Sequence, residues 1–362
     1  MPRRKLKRFD IRRFNPKAFI SQHQKGFRLS LVGLAVLLAA WLGVIWYRLD
    51  NSVDRTDPSA SASEDTAVKF VPSPLTGVNV SEDLAKRPIL AVQIENSPDA
   101  RPQSGLADAG VIFEAIAEGG ITRFSAYYQE ASPKSLGPIR SLRPYYIDWA
   151  LGFDAAVLNS GASVQARSLI GRVGLKDLNV GGAYYRASDR FAPHNAYSSY
   201  DRIKPLMESR GWYKAPKFTP LKRKDEAQRE TPNASTINVN ISSELFNVSY
   251  RFQTDCNCYA RSMAGSSHKD RESGRQLSPK VVVVLKSPHS VISSVGHLGI
   301  KTVGSGQGWI FQDGGVTKVT WKKSSRSGQI TFTNSKGEAV GLNAGQTWIS
   351  VIPTDKSVSY KK

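Results

Sequence analysis

The most apolar stretch of the chain is Leu29–Tyr47 (LSLVGLAVLLAAWLGVIWY), 19 uncharged residues bounded by Arg28 and Arg48. As a helix rising about 1.5 Å per residue it would span roughly 28 Å, close to the thickness of a bilayer's hydrocarbon core. Trp41, Trp46 and Tyr47 crowd its C-terminal end, where an aromatic belt would sit. A cleaved signal peptide would need a short basic segment before it and a small-x-small site after it. Here the preceding arm is long and Trp-Leu-Gly-Val-Ile-Trp-Tyr offers no such site, so a single uncleaved transmembrane helix over 29–47 is expected. Residues 48–73, rich in Ser, Ala, Asp and Pro and without apolar period, read as a flexible stalk.

Beyond the stalk the pattern changes character twice. Pro88–Glu95 (PILAVQIE), Val111–Ala117 (VIFEAIA) and Ile121–Gln129 (ITRFSAYYQ) are β-branched and aromatic runs of strand length. Glu118-Gly119-Gly120 between the last two fits a hairpin turn, since glycine reaches positive φ without steric cost. Pro144–Phe153, Ala162–Gly171 and Ser198–Arg210 carry helical spacing, the first opened by proline and the last closed by Gly211. Lys214–Thr231 (KAPKFTPLKRKDEAQRET) is polar and proline-interrupted, and marks a boundary. After it the apolar runs are short and strand-like: Phe246–Phe252, Lys280–Leu285, Gly308–Gln312, Val316–Trp321, Gln329–Thr333 and Thr347–Ile352. The expected fold class is α+β: a mixed α/β domain over 74–215 and a β-rich domain, sandwich or partly closed barrel, over 230–353. The two are expected to pack as distinct units.

Charge decides what the N-terminal arm is for. The chain of 362 residues has a formal net charge of +20, and residues 1–28 alone carry +9, ten Lys and Arg against Asp10. Such an arm fits nucleic acid or an anionic membrane surface, and the apolar span behind it favours the membrane. Positive charge stays inside, which puts the 1–28 tail in the cytoplasm and the bulk of the chain outside, with nucleic acid an improbable partner.

Two cysteines rule out a disulfide scaffold, and five scattered histidines disfavour a multi-metal protein; no metal site and no cofactor is assigned. Walker A, H-E-x-x-H, G-x-S-x-G and paired C-x-x-C signatures are all missing. Val303–Trp309 (VGSGQGW) lacks phosphate-loop spacing and reads as a β-turn with bulges. Cys256-Asn257-Cys258 on a strand would hold its Cα atoms roughly 6.5–7 Å apart, at the edge of disulfide geometry, so two separate thiols are expected.

The chemistry-bearing residues lie between Glu114 and Asn195. Glu114, Glu118 and Arg123 flank the hairpin turn; Arg140, Arg143 and Asp148 follow beside Tyr145 and Tyr146; Arg186, Arg190, His194 and Asn195 come next. Arginine captures carboxylate or phosphate through a planar, permanently charged fork of donors. Arg123, Arg140, Arg143, Asp148, Arg186 and Asn195 are therefore the candidate ligand-binding residues. Glu114, Glu118 and His194 are the candidates for acid/base work, although ion pairing to Arg123 or Arg140 is the favoured reading of the two glutamates. Arg123, Arg140, Arg143, Arg186 and His194 are expected to line one shared cleft.

Several stretches resemble the YerB-like family, bacterial envelope proteins often exported as lipoproteins and built from two domains of unknown function. The matching stretches are Arg101–Phe124 (RPQSGLADAGVIFEAIAEGGITRF), Gly137–Ala155 (GPIRSLRPYYIDWALGFDA), APHNAYSS from Ala192 and HKDRESG from His268. VGSGQGWIFQDGG from Val303, TWKK from Thr320 and GQTWISVIP from Gly345 complete the match. The resemblance implies an outward-facing bacterial envelope protein and brings no established reaction. Lipoproteins of this kind carry a lipid-modified cysteine just after the apolar stretch, whereas this chain has none before Cys256. A membrane-spanning helix would then take the place of the lipid.

The first functional reading is a binding or regulatory module recognising an anionic cell-wall polymer or an envelope protein. The alternative is a hydrolase or transferase acting on a cell-wall polymer or a lipid-phosphate-linked glycan. Both require residues 48–362 outside the cytoplasmic membrane. Protease added to intact spheroplasts is expected to digest that portion; its protection would refute the orientation.

Overall fold

A computed structural model of the chain describes residue 42 and residues 69–362. The expected basic tail 1–28, the expected span 29–47 apart from Leu42, and the expected stalk up to residue 68 lie outside the described residues. Among the described residues no helix is long and apolar enough to cross a membrane. The end of the expected stalk is a strand: Phe70–Pro72 pairs antiparallel with Asn79–Ser81.

The first half supplies strands β1 (Leu90–Glu95), β2 (Val111–Ile116), β3 (Thr122–Tyr128), β4 (Ala156–Leu158) and β5 (Lys176–Asp177). It also supplies helices α1 (Pro144–Leu151), α2 (Val164–Val173) and α3 (Tyr200–Ser209). Local chemistry fixes these helix ends. Pro144 opens α1, the Ser163 and Ser199 side chains accept the Ala166 and Arg202 amides at 3.2 Å, and Gly174 stops α2 at φ 62°. Gly119 and Gly120, at φ 58° and 76°, turn β2 into β3.

From the second half come β6 (Arg223–Lys224), β7 (Thr236–Val239), β8 (Val248–Gln253), β9 (Cys258–Met263), β10 (Ser266–Ser267) and β11 (Val281–Lys286). Then follow β12 (Gly304–Gln312), β13 (Gly315–Lys323), β14 (Thr331–Thr333), β15 (Leu342–Asn343), β16 (Thr347–Ile352) and β17 (Val358–Lys361).

Ten strands form one mixed sheet in the order β14-β13-β12-β11-β16-β2-β3-β1-β4-β5. β16 runs parallel to β11 on one side and to β2 on the other, so strands of both halves belong to a single sheet. The expected distinct packing of the halves is corrected here, and the reason is in β16 itself. Its residues TWISVI are buried on both faces, the pattern of a parallel strand covered on both sides, and both its edges are paired. Helices α1 and α2 cover one face around Phe113, Trp149 and Leu169; α3 covers the other around Ile203, Met207 and Trp348. The five-stranded sheet β10-β9-β8-β7-β17 packs on the second-half strands around Tyr250, Tyr259 and Phe311. β8, whose side chains alternate between buried and exposed, shows the half-solvated pattern of an outer sheet.

The expected boundary 214–231 is tied down along its length. β6 pairs in parallel with β15, and Arg223 donates to Asn343 O at 3.0 Å and Thr347 Oγ1 at 3.1 Å. Val303–Trp309, expected as a bulged turn, is mostly strand β12. A Cβ on Gly306 would lie 2.6 Å from Trp321 Nε1 and 2.8 Å from Lys286 O, so glycine there admits the Trp321 ring rather than a phosphate.

At the junction of the halves lies a fully buried ion pair. Glu114 on β2 accepts from Arg261 Nη2 on β9 at 2.7 Å, and both side chains are 0% exposed. Trp348 Nε1 and Ser350 Oγ on β16 add bonds to the same carboxylate at 3.0 and 3.3 Å, while Thr122 Oγ1 donates to its other oxygen at 3.3 Å. The Arg261 guanidinium lies 4.2 Å from the Trp348 ring centroid. Removing one partner strands the other's charge in the core, so Glu114→Ala is expected to lower unfolding free energy by about 3–5 kcal/mol. Denaturant titration checks this; a loss under about 1 kcal/mol would mean that the pair is replaceable.

Candidate functional site

Three loops meet beside the end of β1. One is the turn after β1, residues 96–103. The second is the loop between the short paired strands Tyr185–Arg186 and Ala196–Tyr197. The third, from the second half, is the turn 268–275 after β10. Backbone and side-chain bonds lock them together: Arg271 N donates to Gln103 O at 2.8 Å, Gln103 Oε1 meets His268 Nε2 at 2.9 Å, and Ser104 Oγ donates to Glu272 Oε1 at 2.8 Å. Burial, with the charges of Arg261 and Arg101, holds His268 well below its usual pKa, so its imidazole is neutral.

Between the loops lies an open cavity of about 690 Å³, lined by Asp99, Arg101, Asp189, Arg190, Phe191, His194 and Arg271 among others. A smaller one of about 370 Å³ continues from Asp189 and Arg271 to Tyr185, Tyr197 and Glu272. Arg190 is held in place by backbone, donating to Asp99 O at 2.9 Å and Pro102 O at 2.7 Å. Arg101 is fastened to Asn96 Oδ1 at 3.1 Å and to Leu245 O at 2.8 Å. Arg271 is paired with the exposed Asp189 carboxylate and reaches Tyr197 OH at 3.4 Å. Phe191, 91% exposed, stands at the mouth. A separate groove along the five-stranded sheet, about 560 Å³, has Glu244 as the only ionisable residue in its lining.

Buried Glu95 organises the floor. Its carboxylate meets His194 Nδ1 at 3.0 Å, accepts from Ser97 Oγ at 3.0 Å, and lies 3.1 Å from Arg140 Nε in a contact not aligned as a hydrogen bond. Ser97 Oγ also lies 3.3 Å from His194 Nδ1. A serine nucleophile relay needs the acid and the serine on opposite ring nitrogens. Here both approach Nδ1, and Nε2 faces Asp99 at 3.9 Å. The arrangement orients His194 toward the cavity without activating Ser97.

The expected shared cleft divides. Arg140 and His194 meet on Glu95, whereas Arg123 and Arg143 meet on Glu118, Arg143 through a direct Nε bond and Arg123 at 3.5 Å. Arg123 also donates to Ser141 O at 2.6 Å and Arg143 to Leu142 O at 2.8 Å. Tyr145 and Tyr146 are core residues bonded to Ile116 O at 2.9 Å and Arg123 O at 2.7 Å. Glu114, a candidate for acid/base work, is sealed in the interhalf ion pair and meets no solvent. Asp148 pairs with Arg326 at 2.7 Å and accepts from Thr302, neither of which lines the cavity; burial raises its pKa. Arg186 is exposed and bonds Asn195 Oδ1 at 2.9 Å, bracing the loop of His194 from outside.

Cys256 and Cys258 form a disulfide, a correction to the expected separate thiols. Asn257 between them takes a left-handed φ of 46°, which draws the Cα atoms to 5.2 Å, inside the range an extended strand misses. Among the described residues no group of three or more His, Cys, Asp or Glu side chains is placed to hold a metal ion. Glu95, Ser97, Asp99, Asp189 and Phe191 carry no motif and escape a sequence reading. Arg101 and Arg271 lie inside the family-like stretches RPQSG and HKDRESG, a signal that went unassigned.

Fold and site define an α+β protein whose two sequence halves share one sheet and jointly build an arginine-lined cleft. A family model described as "Protein of unknown function (DUF3048) N-terminal domain" matches residues 75–213, and the corresponding C-terminal domain matches 237–349. "Putative lipoprotein YerB" of Bacillus subtilis (strain 168) is 32% identical over 309 residues, 83% of this chain and 92% of the relative. The crystal structure of YerB protein from Bacillus subtilis matches with a TM-score of 0.72 at 32% identity, covering 80% of this chain and 99% of that one. The chain belongs to the YerB-like family of two-domain proteins of unknown function.

Burial alone would raise the Glu118 pKa, but the Arg143 bond and the charges of Arg123 and Arg143 outweigh it and hold the carboxyl below its usual 4.5. A depressed carboxyl stabilises the fold above its unfolded pKa and loses that contribution as pH falls through the folded value. The stability gap between the native chain and Glu118→Gln is therefore expected to be constant above about pH 5 and to close toward pH 3. Melting curves across that range check it; a gap that widens on acidification would reverse the assignment.

Proposed function

We propose that the protein is an extracytoplasmic binding module, attached to the cytoplasmic membrane, that takes an anionic group of an envelope polymer into the cleft between its two halves. The observation that carries this reading is the convergence of Arg101, Arg190, Arg271 and His194 from three separate loops on one 690 Å³ cavity. Arginine forks braced by backbone carbonyls are already ordered, so a ligand phosphate or carboxylate meets donors that lose little freedom on binding. The acids first considered for catalysis are held elsewhere, Glu114 by Arg261 and Glu118 by Arg143, which favours recognition over acid/base chemistry. The lipoprotein name of the relative, the basic arm and the apolar stretch 29–47 support attachment at the outer face of the membrane. A single membrane span by 29–47 is the form of attachment we propose.

Full-length protein in detergent is expected to bind phosphorylated wall-polymer fragments with an affinity that falls as salt rises. Arg271→Ala and Arg190→Ala should each weaken binding roughly ten- to a hundredfold, the cost of one charge-assisted hydrogen bond of about 1.5–3 kcal/mol. Calorimetric titration reads this. Unchanged affinity in both variants, or no binding of anionic fragments by the native chain, would remove the cleft as the binding site.

A further inference from the structure

Away from the cleft, where the polar segment between the halves crosses the sheet, three side chains make a closed polar knot. Lys224 on β6 and Asn343 on β15 are direct register partners in a parallel ladder. Lys224 Nζ lies 2.5 Å from Asn343 Oδ1 and 2.6 Å from Asp313 Oδ2. Asn343 Nδ2 in turn donates to Asp313 Oδ1 at 2.7 Å. Asn343 is 0% exposed and Asp313 6%. Asp313 sits in the β12–β13 turn and is immobilised by further bonds from Asn257 Nδ2 at 2.8 Å and Ala227 N at 3.2 Å. An amine, a carboxamide and a carboxylate that touches both are the components of amide exchange, the amide and the carboxylate buried and the Lys224 side chain reaching them from a position 33% exposed.

We infer that this is an autocatalytic modification site, at which Lys224 and Asn343 become joined by an isopeptide bond with Asp313 as the proton shuttle. Asp313 accepts a proton from the Lys224 ammonium, leaving a neutral amine against the amide it must attack. The Nζ lone pair then forms a bond to Asn343 Cγ, and the Cγ–Nδ2 bond breaks. The departing nitrogen takes up one of the two protons that Nζ sheds and leaves as ammonia with Asp313 keeping the other, or takes up both and leaves as ammonium; the third stays on the new amide nitrogen. Nothing is oxidised or reduced, and no co-reactant is consumed. Fixing the two groups in contact replaces a bimolecular encounter by an intramolecular one, which is the main help an unactivated amide needs. The product would tie the segment linking the two halves to the strand just before β16, closing that crossing covalently.

Intact mass spectrometry of the full chain, reduced to open the Cys256–Cys258 bond, tests this without any variant. The native protein is expected to be one ammonia lighter than its sequence, and proteolysis should release a branched peptide joining the segments that carry Lys224 and Asn343. Lys224→Arg, which keeps the charge but offers no such nucleophile, should restore the full sequence mass, and Asp313→Asn should leave the two segments unlinked. A native chain at full sequence mass would overturn the inference. So would an ammonia deficit that maps to a linear peptide, the mark of ring closure at a single asparagine. Linkage that persists in Asp313→Asn would remove Asp313 from the chemistry.

Discussion

The structure depends on a charge pair that no water reaches. Glu114 and Arg261 come from different halves of the chain, 147 residues apart, and are wholly buried where β2, β9 and β16 meet. Taken out of water, each ion loses several kcal/mol of solvation, and only close partners restore it. Glu114 has four: Arg261, Trp348, Ser350 and Thr122. Arg261 is less well served, since its Nε and Nη1 lack hydrogen-bond partners and lean on the faces of Trp348 and Tyr250 instead. The pair is therefore a poor source of net stability and a strong selector of arrangement. Any other seating of the halves would leave a bare charge in the core.

That seating aligns the cleft. β9 carries Arg261 and leads through β10 into the turn of His268 and Arg271, while β1 leads into the loop of Asn96, Arg101 and Gln103, whose Asn96 donates to Thr122 at the start of β3. With Arg261 held on Glu114, the Arg271 amide meets Gln103 O and His268 meets the Gln103 side chain. The arginines of the cleft thus stand on a frame whose register is set a few residues away in the core. Neither half alone lines that cleft, since Arg101, Arg190 and His194 come from the first half and Arg271 from the second.

What the sequence made legible was local. The β2–β3 hairpin, the proline opening of α1 and the stop at Gly211 follow from residue chemistry within a few positions. What escaped was everything set by distant pairing. The run TWISVI reads as a strand, but nothing in it says that it lies between β11 and β2. The glycines of VGSGQGW read as a turn because the Trp321 ring that needs the missing Cβ of Gly306 is a strand away. Cys-Asn-Cys reads as open thiols on an extended strand, until Asn257 leaves that strand. Among the candidate residues, the Arg and Glu types pointed to ion pairing, yet which acid each arginine meets depends on the 137–143 segment lying across β1, which only the folded chain shows.

The cleft does not present vacant positive charge, and this constrains what it can recognise. Arg271 already holds Asp189, and Arg190 and Arg101 each make two hydrogen bonds to backbone oxygens. An entering anion must therefore outcompete a carboxylate that is exposed and free to swing into solvent. Displacing Asp189 returns one well-hydrated charge to water, so the exchange is nearly balanced in Coulomb terms. On the proposed reading geometry would tip it: Arg271 and Arg190 line the same cavity, and a phosphate offers oxygens to more than one of them, where the Asp189 carboxylate pairs with Arg271. A monovalent anion without that span gains nothing over Asp189. On the proposed binding reading, Asp189, which blocks the arginine, would act as the filter, and selection would fall on the spacing of charges along the ligand more than on their number.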